Sequence, residues 1–532
     1  MRRPSAITVA LMLALPLAAC SKPQGPQSYA VEEAPLARIS SDLAGGKTTA
    51  VAVTTSYIER IKTYDGALRS VILIAPDALE QAAASDRRRK EGKTLGPLDG
   101  VPILLKDNID VVGMPTTAGS FALAENMPAK DSEVARRLRA AGAIFLGKAN
   151  TSQWAGLRTT SGFNGSTVGG SPKNPYDLTR SPAGSSSGPG IAAAASLAAA
   201  TVGTDTTGSI ISPSSYNGVV GIRPTVALIS RRGIVPVSLT QDTSGPMARS
   251  VTDTAMLLTV LAGSDAGDPA SKDADAHKAD YVKALDAGSL KGKRIGVLRG
   301  TRDYSDSTRV PFDAALEVLK AQGAELVEIP EGVLQDISQE DRTILLYDFK
   351  EDVTAYLAGT SPDKVKTRTL ADLIAFNKSD PRESTHDQDL FESAEATPGR
   401  QDQAYIDNMQ TAKRMTQADG FDRAFKEFNV SALVSLTRGP ADPIVPDNTG
   451  GGHPIAQHEK GATPPSTSQI AALAGYPDLT VPMGLLDGLP VGISFMGPPW
   501  SEPMLLSYGY AYEQASHKRV PPEAYKKAAA KK

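Results

Sequence analysis

Three short segments of this sequence carry residues that could act together on a carbonyl group. Lys106 ends the apolar run of "GVPILLKDNID", where a predicted buried strand meets a loop. Ser209 lies in "VGTDTTGSIISPSSYNG", where Gly203 and Gly208 let the backbone bend closely enough for consecutive N–H groups to converge on one point. An oxyanion hole requires that geometry. The loop around Ser209 is therefore consistent with an oxyanion hole, whereas a single lysine after a strand is often only a surface cation.

The third segment, "SPAGSSSGPG", occupies residues 181–190 and has the composition of a flexible linker. Gly and Ser runs usually stay flexible because they bury too little surface to offset the entropy of ordering. This run, however, continues directly into the uncharged stretch "IAAAASLAAA", which is a poor continuation for a solvated tether. The residues alone leave two interpretations open, a hinge or a loop packed against the core.

Other site chemistries have little support in the sequence. The five histidines are scattered, without a His-Glu-x-x-His pattern or a Cys/His cluster, so no metal site is predicted. His453 and His458 lie in a Gly-rich loop and are expected at the surface. Neither a P-loop nor a dinucleotide fingerprint is present, so no cofactor is predicted. The segment around Ser244 does not form the G-x-S-x-G elbow of another hydrolase class.

Charge and composition exclude one further class of function. The 532 residues include 56 basic and 59 acidic side chains, which gives a formal net charge of −3. Nucleic-acid binding depends on Lys and Arg clustered against phosphates, and no such cluster stands out. We therefore expect no nucleic-acid partner.

The first residues are typical of a bacterial export signal. A basic "MRR" precedes an apolar stretch shorter than the ~20 residues that a membrane span needs. The stretch ends in "LAAC", which resembles the bacterial lipobox, and Cys20 is the only cysteine of the chain. We expect residues 1–19 to be a lipoprotein signal peptide and Cys20 to carry the lipid. The mature protein would then be anchored to a membrane of the cell envelope, facing the periplasm.

The remaining chain is predicted to be one large α/β domain. Residues 20–34 are expected to form a flexible tether, 35–525 the domain and 526–532 a basic tail. Helices alternate with short apolar strands, which favours a central sheet with helices on both faces. For example, "DSEVARRLRAAGAIFLG" predicts a capped helix followed by a buried strand, and Pro311 is expected to open another helix. A hairpin signal at Asp487-Gly488 indicates that the sheet is mixed. Residues 335–430 read as polar helices that could rim an entrance to the core.

The three segments together resemble the amidase signature family, whose members hydrolyse or transfer amides with a Ser-cisSer-Lys triad. The similarity runs from "GPLDGVPILLKDN" through "GIRPT" and continues at "AALAGYPDLTVPMGLLDGLPVGISFMG", so it covers nearly all of the chain after the export segment. The 24-residue spacing between Ser185 and Ser209 is also the one the family uses. Within the family, "SPAGSSSGPG" and "GLPVGISFMGPPWSEP" are most similar to bacterial peptide amidases.

The resemblance implies the amidase signature fold and a role for each candidate residue. Ser209 would be the nucleophile, Ser185 the bridging serine on a cis peptide bond, and Lys106 the base. The oxyanion hole would be formed by the backbone N–H groups of Thr206, Thr207, Gly208 and Ser209. The Gly/Ser run would then be a packed active-site loop, and Asp205 is expected to order the neighbouring backbone through hydrogen bonds.

The proposed base must lose its charge. An unperturbed lysine has a pKa of ~10.4 and is protonated at neutral pH, so it cannot accept a proton. Burial alone lowers the pKa of a lysine by up to ~3–5 units. The apolar residues 101–105 before Lys106 are consistent with such burial.

The resemblance leaves the substrate open among related amides. The expected activity is hydrolysis of a small carboxamide, foremost the C-terminal amide of a peptide, through an acyl-enzyme and with release of ammonia. Aryl, aliphatic or fatty-acid amides are an alternative class. A further alternative is a lipoprotein that binds peptides without catalysis. No obligate protein partner is expected, and an exported chain has no access to tRNA, which disfavours a tRNA-dependent amidotransferase.

Overall fold

The computed structural model describes residues 28–160, 165–444 and 466–526. The predicted signal peptide, the lipid anchor at Cys20 and nearly all of the basic tail lie outside these ranges and stay predictions. His453 and His458 also lie outside them. None of the helices in the described ranges is long and apolar enough to cross a bilayer.

One mixed β-sheet runs through the described part of the chain. Its eleven strands are β1 (Val71–Ile74), β2 (Pro102–Lys106), β3 (Ile144–Ala149), β4 (Ala200–Asp205), β5 (Val220–Arg223), β6 (Thr243–Ala248), β7 (Arg294–Leu298), β8 (Glu325–Glu328), β9 (Ala432–Arg438), β10 (Asp478–Leu486) and β11 (Leu489–Met496). Their spatial order is β1-β3-β2-β4-β6-β5-β10-β11-β9-β7-β8. Strand β2 is parallel to β3 and β4, and β7 is parallel to β8 and β9, whereas the other pairs are antiparallel. The predicted mixed sheet is therefore confirmed.

Helices flank both faces of this sheet, which confirms the predicted single α/β domain. They are α1 (Leu36–Ala44), α2 (Ala50–Leu68), α3 (Ala78–Lys90), α4 (Glu133–Ala140), α5 (Ser187–Ala194), α6 (Ile211–Tyr216), α7 (Val251–Leu261), α8 (Ala274–His277), α9 (Asp306–Ala321), α10 (Ser338–Ala358), α11 (Leu370–Ser379), α12 (Asp389–Glu395), α13 (Gln403–Thr416), α14 (Asp422–Glu427), α15 (Thr467–Ala474) and α16 (Glu502–Ser516). Helices α10 to α14 correspond to the polar helical region predicted at 335–430.

Strand β2 lies in the interior of the domain. It is hydrogen-bonded on both sides by parallel neighbours, and its residues Ile103, Leu104 and Leu105 are completely buried. Parallel strands covered by helices on both faces read as continuous apolar runs, which is the pattern of this segment. A side chain that ends such a strand, as Lys106 does, is consequently held in a low-dielectric environment.

The Gly/Ser run is packed rather than flexible. Its second half begins α5, and residues 185–190 are buried. A Cβ added to Gly188 would lie 2.4 Å from the backbone nitrogen of Asn150, so the helix approaches its neighbour as closely as glycine allows. The run is therefore a loop and helix start that pack closely against the interior of the domain, as the family resemblance implied.

Two of the local predictions are confirmed and one is corrected. The hydroxyl of Ser132 caps α4, and β3 follows this helix. Both hairpin residues, Asp487 and Gly488, have a positive φ, as a tight two-residue turn requires. Helix α9, however, begins at Asp306 rather than at Pro311, which lies inside the helix. A reciprocal pair of hydrogen bonds between Ser305 and Thr308 forms the true N-terminal cap.

The described part of the predicted tether lies against the domain. Among residues 28–34, Val31 and Ala34 are buried, and Glu33 forms an ion pair with Arg519 near the other end of the chain. The Tyr29 hydroxyl also donates to Asp42 at 2.8 Å. The packed region therefore includes residues before position 35.

Candidate active site

Lys106 and the loop that carries Ser209 meet at one edge of the sheet. Strands β2 and β4 are parallel neighbours, with Leu105 opposite Val202. Because the carboxyl ends of parallel strands lie at the same edge, Lys106 ends β2 beside the last residues of β4. The loop after β4 then carries Ser209, and α6 follows it.

The Lys106 side chain is fully buried and makes three polar contacts. Its Nζ lies 2.7 Å from Ser185 Oγ, 2.8 Å from Thr204 Oγ1 and 3.3 Å from the Thr204 carbonyl oxygen. Burial lowers the pKa of Lys106 to about 7, although the carboxylates of Asp205 and Asp242 act in the opposite direction. A pKa near 7 leaves a large fraction of this amine uncharged at neutral pH.

The same contacts suit the uncharged amine, which has two hydrogens and one lone pair. The Thr204 carbonyl oxygen can only accept a hydrogen bond, and Thr204 Oγ1 already accepts one from Asn108 Nδ2 at 3.0 Å. When both amine hydrogens of Lys106 point to the two Thr204 oxygens, its lone pair faces Ser185 Oγ. The geometry therefore suits a lysine that takes a proton from Ser185.

Ser185 is buried, and its peptide bond to Gly184 is cis. Its carbonyl oxygen accepts hydrogen bonds from the Ser152 amide at 3.0 Å and from the Thr151 hydroxyl at 3.2 Å. The following amide, of Ser186, donates to the carbonyl oxygen of Ser209 at 3.1 Å. The two serine-bearing loops are thus hydrogen-bonded directly to each other.

Asp205 orders the loop after β4, as expected. Its Oδ1 accepts from the Gly208 amide at 2.8 Å, and its Oδ2 accepts from the Ile210 amide at 2.6 Å. Arg223 is fully buried and pairs with Asp205 Oδ1 at 2.7 Å. This ion pair fixes the backbone on both sides of Ser209.

The structure narrows the set of amides that can face an oxyanion. The Gly208 amide is occupied by Asp205, whereas the amides of Thr206, Thr207 and Ser209 have no acceptor among the described residues. Gly208 has φ +112°, and a Cβ there would lie 2.8 Å from Ser468 Oγ, so this position needs glycine. Thr207 and Ser209 are partly exposed and so accessible to a substrate. Three of the four predicted amides remain free.

A narrow cavity lies beside this loop. It shares Thr204 and Thr206 with the surroundings of Lys106, and its polar lining is completed by Asn108, Arg231, Asp242 and Thr243. Its apolar wall consists of Ala155, Ile234, Val235, Val237 and Leu239. Helix α10 holds this wall, because the Leu239 amide donates to Asp352 Oδ2 at 2.8 Å and the Ser238 hydroxyl donates to Asp348 Oδ2 at 2.5 Å. The predicted polar helices therefore support one side of the cavity.

No metal site emerges from the part of the chain that the structure describes. Within it, His, Cys, Asp and Glu side chains form no group of three that could hold an ion. The candidate site instead contains a buried amine, the hydroxyls of two serines and backbone amides.

The sequence alone did not reveal several residues of this site. Thr204, which contacts Lys106, and Asp242, which accepts from the Thr206 hydroxyl at 2.5 Å, were not predicted. The parallel pairing of β2 and β4 was the signal that could have placed Thr204 beside Lys106. No local pattern marks Asp242, because its role depends on how the loop before β6 folds back onto the cavity.

Comparison with known proteins adds independent information. A family model described as Amidase matches residues 52–506. A probable amidase of Arabidopsis thaliana is 36% identical over 511 residues, which cover 93% of this chain and 92% of that protein. The native peptide amidase of Stenotrophomonas maltophilia has 42% sequence identity and a TM-score of 0.84, over 92% of this chain and 98% of that chain. A structure of peptide amidase with the competitive inhibitor chymostatin has 43% identity and a TM-score of 0.85, over 92% and 99% of the two chains.

Proposed function

Because the chain belongs to the amidase signature family and is therefore an enzyme that hydrolyses amide bonds, we propose that it removes the C-terminal amide of peptides and releases ammonia. The observation that carries the proposal is the buried Lys106 amine, which contacts Ser185 Oγ at 2.7 Å at the edge of the sheet where Ser209 lies. The similarity to peptide amidase, and the chymostatin bound to that relative, favour a peptide-like substrate.

The proposed reaction begins with a proton relay. The uncharged Lys106 takes the proton of Ser185 Oγ, and Ser185 takes the proton of Ser209 Oγ as this oxygen attacks the amide carbon. The negative charge that forms on the carbonyl oxygen is stabilised by the amides of Thr206, Thr207 and Ser209.

The relay then runs in reverse. The Lys106 ammonium returns a proton through Ser185 to the departing nitrogen, so the C–N bond breaks and ammonia leaves. The acyl group remains on Ser209 as an ester. Water, activated by the same relay, attacks this ester, and the peptide carboxylic acid is released. One amide and one water are consumed, and one acid and one ammonia are formed.

The aliphatic side of the narrow cavity next to Thr206 is the surface that an apolar side chain of the acyl part would contact. It is formed by Ala155, Ile234, Val235, Val237 and Leu239, whereas Asn108, Arg231 and Asp242 line the polar side. Lipid anchoring at Cys20 remains a separate prediction about where this reaction takes place.

A substrate panel tests the assignment. We expect ammonia release from a dipeptide amide that ends in leucine amide to exceed release from benzamide and from oleamide. Free ammonia is measured for each substrate at several concentrations, so that kcat/KM values are compared. If the peptide amide is the slowest of the three, the peptide specificity is wrong and an aryl or fatty-acid amide takes its place. Failure of a serine-directed fluorophosphonate to label the protein would instead favour a non-catalytic binder.

We expect Asp205→Asn to damage both the fold and the reaction. Removing the charge leaves the buried Arg223 guanidinium without its partner, which costs about 3–5 kcal/mol of unfolding free energy. The amides of Gly208 and Ile210 also lose their charged acceptor, so the loop around Ser209 shifts and kcat falls about a hundredfold. Urea unfolding and ammonia release measure the two effects.

A matched control for this substitution is Asp99→Asn. Asp99 is also buried and pairs with Arg88 at 2.6 Å, but it lies before β2, at the end opposite Lys106. The control should lose stability and keep kcat within a factor of about two. Equal losses of kcat in both variants would show that any buried ion pair has this effect, and that Asp205 has no particular role in the loop.

A further inference from the structure

A buried carboxylate outside the catalytic loops joins the helical region to the segment beneath Ser185. Glu383 lies in the turn after α11 and is completely buried. Its Oε1 accepts from the Phe121 amide at 2.7 Å, the Thr167 hydroxyl at 2.7 Å and the Ser120 hydroxyl at 3.1 Å. Its Oε2 accepts from Gln153 Nε2 at 2.7 Å. One side chain thereby holds three separate parts of the chain together.

Arg158 completes this cluster. Its guanidinium is buried and pairs with Glu383 Oε2 at 2.5 Å. The same group donates to Gln153 Oε1 at 2.9 Å and to the carbonyl oxygens of Glu383, His386 and Asp387 at 2.6, 2.9 and 3.2 Å. Five contacts engage all five N–H donors of an arginine. Segment 153–158 is therefore fixed to the turn at 383–387 by charge and by geometry.

The clamped segment is the one that contacts Ser185. Directly before Gln153, the Ser152 amide donates to the Ser185 carbonyl oxygen at 3.0 Å, and the Thr151 hydroxyl donates to the same oxygen at 3.2 Å. Directly after it, Trp154 and Ala155 have φ values of +52° and +54°, which residues with a Cβ rarely adopt. Such a backbone persists only where its surroundings enforce it.

We propose that Glu383 is a positioning residue for the reaction: with Arg158 and Gln153, it fixes segment 151–155 so that the Ser185 carbonyl, and with it the Ser185 hydroxyl, stays in contact with Lys106. This inference rests on the proposed function, since it assigns Ser185 to the proton relay. The Glu383 carboxylate forms its hydrogen bonds with Ser120, Phe121, Gln153, Arg158 and Thr167, and not with Lys106 or Ser209, so its effect passes through the backbone of residues 151–155.

The first test is Glu383→Gln in the full-length protein. The substitution keeps the shape, but one acceptor oxygen becomes an NH₂ group, which cannot accept a hydrogen bond from Gln153 Nε2 or Arg158. We expect kcat for the peptide amide to fall about 10- to 100-fold, while KM changes less than kcat. The rate at which a fluorophosphonate labels Ser209 should fall in parallel, since both need the same relay.

The chain also offers an exchange that restores part of the lost contacts. In Gln153→Glu/Glu383→Gln the amide and the carboxylate trade places, so the NH₂ group at position 383 donates to the carboxylate at position 153, and that carboxylate also accepts from Arg158. The contact between Arg158 and the side chain at position 383 is not restored. We expect kcat of this double variant to be at least tenfold higher than kcat of Glu383→Gln. Recovery of thermal stability without recovery of kcat would overturn the positioning role, because it would leave the cluster with a structural role alone.

Asp99→Asn is again the matched control, since it removes a buried carboxylate that pairs with an arginine elsewhere. All assays are run where circular dichroism shows each variant folded. The proposal fails if Glu383→Gln keeps kcat within threefold of the wild type, or if Asp99→Asn loses as much. If Glu383→Gln does not fold, the double variant and Thr167→Val, which removes one donor to Glu383 Oε1, decide in its place through the same kcat and labelling readouts.

The outcome is separable from a failure of the proposed function. If the wild-type protein releases no ammonia from any amide and is not labelled at serine, the function itself is wrong. If the wild-type protein is active and Glu383→Gln is equally active, the function stands and only the positioning role is wrong.

Discussion

Replacing Ser209 with alanine is expected to lower kcat for the peptide amide by about four to six orders of magnitude, the range seen when a serine hydrolase loses its nucleophile. The substitution removes the one oxygen that would form the acyl ester, so no part of the relay from Lys106 can compensate. Because Ser209 is partly exposed and its backbone is held by Asp205 and Ser186, the fold should tolerate the loss of one hydroxyl. Ammonia release, together with mass spectrometry of the fluorophosphonate-treated protein, measures the effect.

Ser214→Ala is the matched control for this variant. Ser214 lies in α6, five residues after Ser209, and its buried hydroxyl has no hydrogen-bond partner among the described residues. Its removal should leave kcat and labelling within about twofold, since no contact to the site is lost. Measurable acylation of Ser209→Ala at another serine would overturn the assignment of the nucleophile.

The sequence indicated where the candidate site residues lie, for identifiable physical reasons. Lys106 follows a run of apolar residues, which is consistent with burial of the side chain that ends the run, and the structure places this side chain in the interior. Ser209 needs glycine beside it, and Gly208 is both positive in φ and in close contact with Ser468. The Gly/Ser run was ambiguous from composition alone, and only the family resemblance favoured a packed loop over a hinge.

The supporting contacts could not be predicted, because they connect residues that are far apart in the chain. Glu383 and Ser120 are 263 positions apart, and Leu239 and Asp352 are 113 apart. Such pairs leave no periodic pattern in the sequence. The start of α9 was missed for a different reason: the cap formed by Ser305 and Thr308 lacks the acidic residue of the common capping box, whereas Pro311 is a conspicuous but misleading helix signal.

Replacing Lys106 with methionine is expected to lower kcat by about 10²- to 10⁴-fold, which is the usual contribution of a general base. Methionine has a similar length and no charge, so it occupies the same buried space without taking a proton. The acid limb of the pH profile should disappear as well. In the wild type, kcat/KM for a neutral amide should rise with pH through about 7, because only the uncharged form of Lys106 can act as a base.

The same substitution should stabilise the protein at neutral and acidic pH. In the wild type the pKa of Lys106 is about 7 when folded and ~10.4 when unfolded, so between these values only the unfolded chain holds the proton. The free energy of unfolding of the wild type therefore rises with pH in this window. Methionine does not titrate, so the free energy of unfolding of Lys106→Met exceeds that of the wild type most below pH 7, by about 4 kcal/mol or less. This difference decreases toward pH 10.

Lys148→Met provides the contrast. Lys148 is also completely buried, but its Nζ lies 3.3 Å from the carboxylate of Asp107. Its removal leaves a buried charge without a partner, so this variant should be less stable than the wild type at neutral pH. Opposite changes in the urea midpoint of the two lysine variants would show that Lys106, unlike Lys148, is held without a stabilising ion pair.

Buried carboxyl groups could also produce the acid limb of the pH profile, and two of them serve as the alternative to Lys106. Burial raises the pKa of Asp242 to about 6 and that of Asp478 to about 7, so either could produce a limb near that of Lys106. If the limb persists in the residual activity of Lys106→Met, the titrating group is a buried carboxyl instead of the amine, and loss of the limb in Asp242→Asn or Asp478→Asn would identify it. If the limb disappears with Lys106 alone and survives in both asparagine variants, the base is the amine at the end of β2.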